Sequence, residues 1–553
     1  MSRLGPLLLS CRAPLWHSAR GVVGGGGDGR DGAPGESIAD LRARIAELER
    51  TVEEYRKLYL LAREEIAQLK RGLIGRRAER PAVDDPQLSL TVLNLLLGEQ
   101  TTHAAPTLEH VAEHTRSKPV RKPFPADLPR VRVEVVPPEV EHLGRDAFEQ
   151  IGVETREVLE RRPASIVVVE VLKPKFVRKD SLGALSTQVL AAETPELPIP
   201  RGTAGPGLLA DTVVKRWQDH LPLNRQESIY RRDGIELGRS TLCTWHAELG
   251  ELARPLVEAM HAEALGQPYV CVDATGVLVQ YPQRCRYGHF WVLVAPPKHV
   301  LFQFSLHHDG AAVDNLLGGY TGTVVADAHA VYDHLYGPEK ATEAGCWSHL
   351  RRYVLEALAV DPERVCQGLA AIQALFHIER TIERAPPLER ARVRQERSQP
   401  LVEQFFAWCD AERGRALEGS PIHDAIRYAT NQRAALGRFL DDSRLPIHNN
   451  LSELHLRRQA VGRKNWLFVG SEDGGHVNTT FVSLLASCAM HRIEPWSYLR
   501  DLFCLLPSWP IRRVLELAPA NWSATSQDPV VQAKLAANVF RTVTLVEHQR
   551  AVA

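Results

Sequence analysis

The stretch that opens at Tyr269 limits the possible folds more than any other. Tyr269–Tyr281, Phe290–Ala295 and Val300–Leu306 are runs rich in β-branched and aromatic residues, the composition of strands. A helical stretch follows near Ala311–Leu317. Thr323–Ala326 reads as a short buried strand closing at Asp327, and a helix continues to Tyr336. Residues 348–440 are almost wholly helical, and a helix-compatible stretch resumes at Asn450. Three consecutive strands, a helix, a strand and a helix specify a mixed sheet.

That order outlines a ribonuclease-H-like core over 267–470, within a multidomain α/β chain of 553 residues. The composition is ordinary for globular domains, with 44% apolar and 24% charged residues. Lys+Arg and Asp+Glu both total 67, which excludes a uniformly basic nucleic-acid coat and leaves room for local basic patches. Nine cysteines without a C-x-x-C pair read as free thiols in a reducing compartment. No run approaches 18 uncharged apolar residues, so no membrane span is expected. Residues 1–36 contain a glycine run, Gly24 to Gly27, and are expected to be a disordered tail, a weak targeting peptide or the product of a start codon placed too early.

Within 37–75, Ile38, Leu41, Ile45, Leu48, Val52, Tyr55, Tyr59, Ala62, Ile66, Leu69 and Leu73 alternate spacings of three and four. This is a coiled-coil seam, and self-association through 38–73 is the expected use. A long helix packed on its own chain is the alternative. Residues 76–132 form a basic linker with Arg116, Lys118, Arg121, Lys122, Arg130 and Arg132. A small β module is expected over 133–195, notably Ser165–Val171. Three helices follow over 200–262: about Leu208–Trp217, one starting at Pro222 and stopping before Gly234, and one beginning at Ser240 as N-cap. Arg239, Ser240, Thr241 and Thr244 at the start of the last suit a helix-turn-helix DNA reader; a plain helical bundle fits the same pattern. Residues 471–520 read as C-terminal helices and 521–553 as a loose tail.

Asp273 lies in the first core strand and Asp327 closes the fourth, while Glu453 would arrive from the later helix. Phosphodiester chemistry needs carboxylates that share divalent cations. Each acid also has a plainer reading. Asp327 would N-cap the next helix, Asn450 and Glu453 would form an Asn-x-x-Glu capping box, and Asp273 would be a partly exposed strand residue.

Longer words of sequence join the three acids. PIPRGTAGPGLLADTVVKRWQDHLPLNRQESIYRRDGIELGRSTLCTW (198–245), VDATGV (272–277), VVADAHAVYDHL (324–335), CWSHLRRY (346–353) and HNNLSELHLRRQAVGRKNWLFVGSEDGG (448–475) resemble the insertion-sequence-sixty-six family of DDE transposases, over about residues 37–520. The resemblance implies a ribonuclease-H-like core with a helical insertion at about 355–445. It implies Asp273, Asp327 and Glu453 as catalytic and metal-binding residues, with two Mg²⁺ ions for which Mn²⁺ can substitute. It further implies cleavage and joining of DNA at element ends, and accessory proteins of the same element. Such an enzyme would work in the bacterial cytoplasm on nucleoid DNA. Three positions depart from the family pattern: Ala274 stands for Glu, His448 for Asp and Leu454 for Arg. The family's cysteine zinc module should fall near 130–180, which has no cysteine, so no zinc is expected there and the module reads as a metal-free relic.

Arg457, Arg458, Arg463 and Lys464 follow Glu453 and are candidates for phosphate contacts. Trp466 and Phe468 read as apolar and structural. Cys346 and His349 lack a second metal-binding pair and read as packing, and His307–His308 as a surface feature. The expected function is a transposase; the alternative is a catalytically silent DNA-binding descendant of one.

Overall fold

The computed structural model describes residues 124–125, 128–162, 165–179, 185–358 and 361–545, all within the unit Pro119–Ala553. The expected tail 1–36, the coiled coil at 37–75, most of the basic linker 76–132 and the last residues, 546–553, lie outside the described residues. Two sheets organise the described chain. The first contains β1 (Arg130–Glu134), β2 (Phe148–Arg162), β3 (Ser165–Lys179) and β4 (Leu185–Ala191), with a short helix α1 (Pro138–Leu143) after β1. β2 and β3 pair antiparallel along nearly their full lengths, and β1 runs parallel to β3. The apolar run in β3 is buried on both faces. Val167, Val169 and Val171 join one cluster, while Val168 between them joins the main core with Leu159 and Leu208. Strand alternation thus ties the small sheet into the rest of the chain.

Residues 521–545 are not the loose tail expected of them. Helices α16 (Pro529–Ala537) and α17 (Val539–Leu545) follow α15 (Pro519–Thr525), and Phe540 and Val543 are buried against Val158 and Val167. One face of the small sheet would otherwise meet water, and burying a Phe or Val side chain is worth about 1.5–3 kcal/mol. The apolar spacing in α17 is too short to signal this in the sequence.

Three helices precede the second sheet: α2 (Pro206–Trp217), α3 (Leu223–Arg232) and α4 (Arg239–Ala264). Gly234, with φ +78, makes the turn after α3 that a side chain would strain. Pro222 and Gly238 occupy the cap positions, so Ser240 sits inside the first turn of α4 and is not its cap. Leu242, Trp245, Leu249, Ala253, Leu256 and Met260 form its buried stripe.

The second sheet has six strands. β7 (His299–Ser305), β6 (Arg286–Ala295), β5 (Tyr269–Val279), β8 (Thr323–Val325) and β9 (Thr342–Ala344) lie in that order, and β10 (Phe468–Val469) also pairs with β5. The first three strands in sequence are antiparallel neighbours; β5, β8 and β9 are parallel. Helix α5 (Gly310–Leu317) crosses from β7 to β8. The helix expected to reach Tyr336 is only a 3₁₀ segment, Ala330–Leu335.

Helix α6 (Trp347–Leu358) leads into the insertion helices α7 (Pro362–Thr381), α8 (Pro387–Val393), α9 (Gln399–Arg413), α10 (Pro421–Asn431) and α11 (Arg433–Asp441). Trp347 is their anchor: buried among Phe405, Phe406 and Phe439, it donates from Nε1 to the Leu436 carbonyl at 2.9 Å. The chain returns to the sheet through α12 (Asn450–Trp466). It then covers the β7 edge with α13 (Glu472–Met490), before α14 (Pro495–Leu505). Ser483 and Ser487, one helical turn apart on α13, accept from the backbone amides of Phe302 and Val300 and so blunt that edge. Among the described residues no helix is long and apolar enough to cross a membrane.

Candidate active site

Strand register brings the two aspartates together. β5 and β8 run parallel with Cys271 opposite Val325, so Asp273 and Asp327 each lie two residues past a matched pair. Asp273 sits mid-strand, opposite Val292 of β6, and its Oδ1 accepts from the Ala274 amide at 2.7 Å. Asp327 does not cap the next segment. That place belongs to His329, whose Nδ1 accepts from the Val331 amide.

Glu453 lies in the first turn of α12, whose start is pinned beside Asp273. The buried Asn449 donates from Nδ2 to the Val272 carbonyl, beside Asp273, at 2.7 Å. Its backbone amide donates to Cys346 Sγ at 3.1 Å. Cys346 therefore packs, and its packing fixes the approach of α12 to β5. The expected Asn450–Glu453 capping box is absent: Asn449 holds the cap position and no side chain caps the helix. The Asn449 side chain gives its Nδ2 to the strand, and its Oδ1, the atom that would cap the helix, is buried without a hydrogen-bond partner. Glu453 is 46% exposed, and its Oε1 lies 3.6 Å from His349 Nε2.

The electrostatics carry the signature of crowded acids. Burial above all raises the Asp273 carboxyl to about 7, against the opposing pull of the Ala274 amide; the charges of Asp327 and Glu453 raise it further, and Arg352 lowers it. His349 is lowered by burial and by Arg352, while Asp327 and Glu453 push it back up, and its Nδ1 is buried without a hydrogen-bond partner. The buried Tyr332 hydroxyl is raised first by burial and then by Asp327 and Asp273. Asp327 and Glu453 thus both act on Asp273 and on His349. Even so, among the described residues no group of three His, Cys, Asp or Glu is set to hold a metal ion. The half-exposed Glu453 rests beside His349. Carboxylate oxygens are the ligands a hard cation takes, and these three acids are the candidates to supply them.

The sequence does not mark His349 and Arg352 as functional. Their i, i+3 spacing within CWSHLRRY puts both on one face of α6, which is the one signal it offers. His308, expected at the surface, stacks on buried Trp291 at 4.7 Å, with His329 at 4.8 Å and His289 at 4.9 Å, close enough to Asp327 to feel its charge.

The candidate DNA contacts divide. Arg239, Ser240, Thr241 and Thr244 are all exposed on the first turns of α4, beside a cavity of about 350 Å³ shared with Arg201 and Glu248. On α12, Arg457 and Lys464 are exposed. Arg458 and Arg463 are partly buried and committed elsewhere: Arg458 donates to Gln218 Oε1 at 2.5 Å, and Arg463 to Thr275 Oγ1 at 3.0 Å and to the Gly276 carbonyl. The altered positions also have homes. His448 stacks on Phe376 at 5.8 Å, Ala274 packs against the main core, and Leu454 is exposed.

The family model for the Transposase IS66 family matches residues 201–477, which span the three-helix region and all three acids. A second model, Transposase C of IS166 homeodomain, matches residues 62–133. Two proteins of Sinorhizobium fredii (strain NBRC 101917 / NGR234) align along most of the chain. The uncharacterized protein y4hP is 30% identical over 500 residues, 85% of this chain and 90% of its own. The uncharacterized protein y4qI is 30% identical over 511 residues, 87% of this chain and 93% of its own. With half of its length inside one family model and relatives that run nearly end to end, the chain belongs to the IS66 family of transposases.

Proposed function

We propose that the chain is a DDE-type transposase that cleaves DNA at the ends of an insertion element and joins them to a target. What supports this reading is the charge that Asp327 and Glu453, from two other segments, place on the buried Asp273. The strand order, three antiparallel strands followed by parallel β8 and β9, supports a ribonuclease-H-like core. Water attacks the scissile phosphodiester first and the freed 3′-hydroxyl attacks the target second, both by in-line displacement. Asp273, Asp327 and Glu453 would hold Mg²⁺, or Mn²⁺ in its place. Two such ions, when bound, supply stabilisation for the charge that develops on the attacking and leaving oxygens. Asn449 holds Glu453 in register with Asp273, and His349 orients the Glu453 carboxylate. Arg457 and Lys464 meet backbone phosphates, and Arg239, Ser240, Thr241 and Thr244 read the element end. The 38–73 seam pairs two copies, and accessory proteins of the element complete the assembly.

A second reading, a silent DNA-binding descendant, draws on Ala274, His448 and Leu454 and on the lack of a trio set to hold a metal ion among the described residues. The experiment that separates them measures binding and cleavage of end DNA on one preparation, with Mg²⁺ and with EDTA. The transposase reading expects Mg²⁺-dependent nicking. Tight binding with no cleavage in Mg²⁺ or Mn²⁺ would favour the silent descendant.

A further inference from the structure

Helix α6 turns one face to the acids, and that face holds Arg352. At about 100° per residue, His349, Arg352 and Glu356 share a side, away from the buried Leu350, Val354 and Ala357. The helix is fixed at its start. The Trp347 amide donates to the Ile447 carbonyl at 3.1 Å, and Cys346 Sγ accepts from the Asn449 amide, so α6 is tied to the segment that begins α12. His349 Nε2 then lies 3.6 Å from Glu453 Oε1. Arg352 follows one turn later, and residues at that spacing have Cβ atoms about 5–6 Å apart. Its charge reaches both Asp273 and His349.

Arg352 is exposed, and among the described residues it makes no hydrogen bond and no ion pair. Glu356, at i+4, is exposed and leaves it unpaired, although the spacing allows a pair. Other arginines of α6 and the insertion are engaged. Arg351 lies over the Phe376 ring at 5.9 Å, Arg364 pairs with Glu412 at 2.6 Å and Arg394 with Glu379 at 2.7 Å. Among the charges that shift Asp273, Arg352 is the cation, and its fork of N–H donors is free.

Position and shape identify what this fork meets. In the transposase reading the scissile phosphodiester lies against Asp273 and Glu453, and Arg352 stands on the helix whose His349 meets Glu453. A guanidinium fork matches two oxygens of one phosphate, where an ammonium offers a point charge. We propose that Arg352 is a catalytic residue that donates to the non-bridging oxygens of the scissile phosphate. The proposal rests on the transposase reading and adds a residue to it. In each in-line step the attacking oxygen bonds to phosphorus as the bond to the leaving 3′-oxygen breaks. Negative charge on the non-bridging oxygens is met by a guanidinium already in place, which stays protonated throughout.

The test uses the full-length protein as wild type, Arg352→Gln, Arg352→Lys and, as control, Arg351→Gln. Single-turnover cleavage of an end duplex is measured with protein in excess across a range of Mg²⁺ concentrations. Duplex affinity is read in EDTA, and unfolding midpoints by calorimetry. Arg352→Gln is expected to lower the cleavage rate at saturating Mg²⁺ by about 10²–10³, the cost of removing one donor to transition-state charge. Duplex affinity should stay within about threefold, because the contact counts most in the transition state. Arg352→Lys, a point charge without the fork, should recover part of the rate, and Arg351→Gln should keep all of it. A wild-type rate for Arg352→Gln at saturating Mg²⁺ would make Arg352 only a counter-charge to the acids and overturn the proposal. Affinity that falls as far as the rate would make it an ordinary DNA contact and also overturn it. A lysine variant as slow as the glutamine one, with both midpoints lowered, would make Arg352 a structural residue, and an equal loss in Arg351→Gln would remove the assignment to Arg352. Wild-type protein that binds duplex and cleaves none in Mg²⁺ or Mn²⁺ would instead count against the transposase reading and carry this inference down with it.

Discussion

Glu160 on β2 and Asp273 on β5 are both carboxyls taken out of water, and both are raised far above the usual carboxylate range, to about 8 and about 7. Their surroundings are opposite. Glu160 is fully buried, and its Oε1 accepts from the amides of Arg161 and Leu208 at 2.7 Å each. Burial alone raises it; the amides of Arg161, Leu208 and Gly207 and the charge of Arg500 all pull it down. It fastens the small sheet to the first turn of α2, and even the glycines there are shaped to it: a Cβ on Gly205 would stand 2.1 Å from Glu160 Oε2. Asp273 has one amide on its carboxylate and two further acids nearby. A buried carboxylate surrounded by donors is a fastening. One buried beside like charges is destabilising, and such groups cluster at functional sites.

The contrast predicts opposite responses to mutation. Asp273→Asn should lower Mg²⁺-dependent cleavage of end DNA by several orders of magnitude. It should also raise the unfolding midpoint, since the cost of burying a charge and then the repulsion by Asp327 and Glu453 are relieved; a calorimetric scan beside the cleavage assay checks both. A fall in midpoint would make Asp273 another fastening. Glu160→Ala should destabilise by about 2–4 kcal/mol, from the cavity and the orphaned amides of Gly207 and Leu208, read as a shifted denaturant midpoint. The Glu160 carboxyl holds its proton more tightly folded than unfolded. Its contribution to stability is therefore complete below about 4.5 and is lost as pH rises towards about 8. Glu160→Gln should flatten the dependence of stability on pH across that window; an unchanged slope would remove Glu160 as its source.

The smallest effect concerns α12. Arg457→Gln should change stability by less than about 0.5 kcal/mol while reducing the salt dependence of DNA binding by about one ion. Arg458→Gln should do the reverse, losing stability with Gln218 left unpaired and keeping the salt slope. Equal behaviour of the two would blur the division between exposed and committed cations.

Much of this is legible in the residues because it rests on periodicity. The strands from Tyr269 and the helices around Pro206–Trp217 and Leu223–Arg232 follow from alternation and from turn residues such as Gly234. The placing of Asp273 in the first core strand and of Asp327 just past the fourth is equally readable. What the sequence conceals depends on contacts between distant segments. Nothing near Asn449 announces that its amide meets Val272 rather than capping α12. Ser240 has the right chemistry for a cap, but the helix starts one residue before it. Phe540 and Val543 look like a tail until the small sheet supplies a surface, and His349 looks like packing until α6 carries it to Glu453.

Whether three acids from three segments act as one unit is tested most directly by cleavage with their single and combined variants. End-DNA cleavage in Mg²⁺ is measured for Asp273→Asn, Asp327→Asn, Glu453→Gln and the triple variant, each first shown to bind the same duplex. Each single change is expected to remove cleavage by several orders of magnitude, with the triple variant little worse, as for residues working together. A single variant that cleaves at the wild-type rate would remove that acid from the site and contradict their joint action.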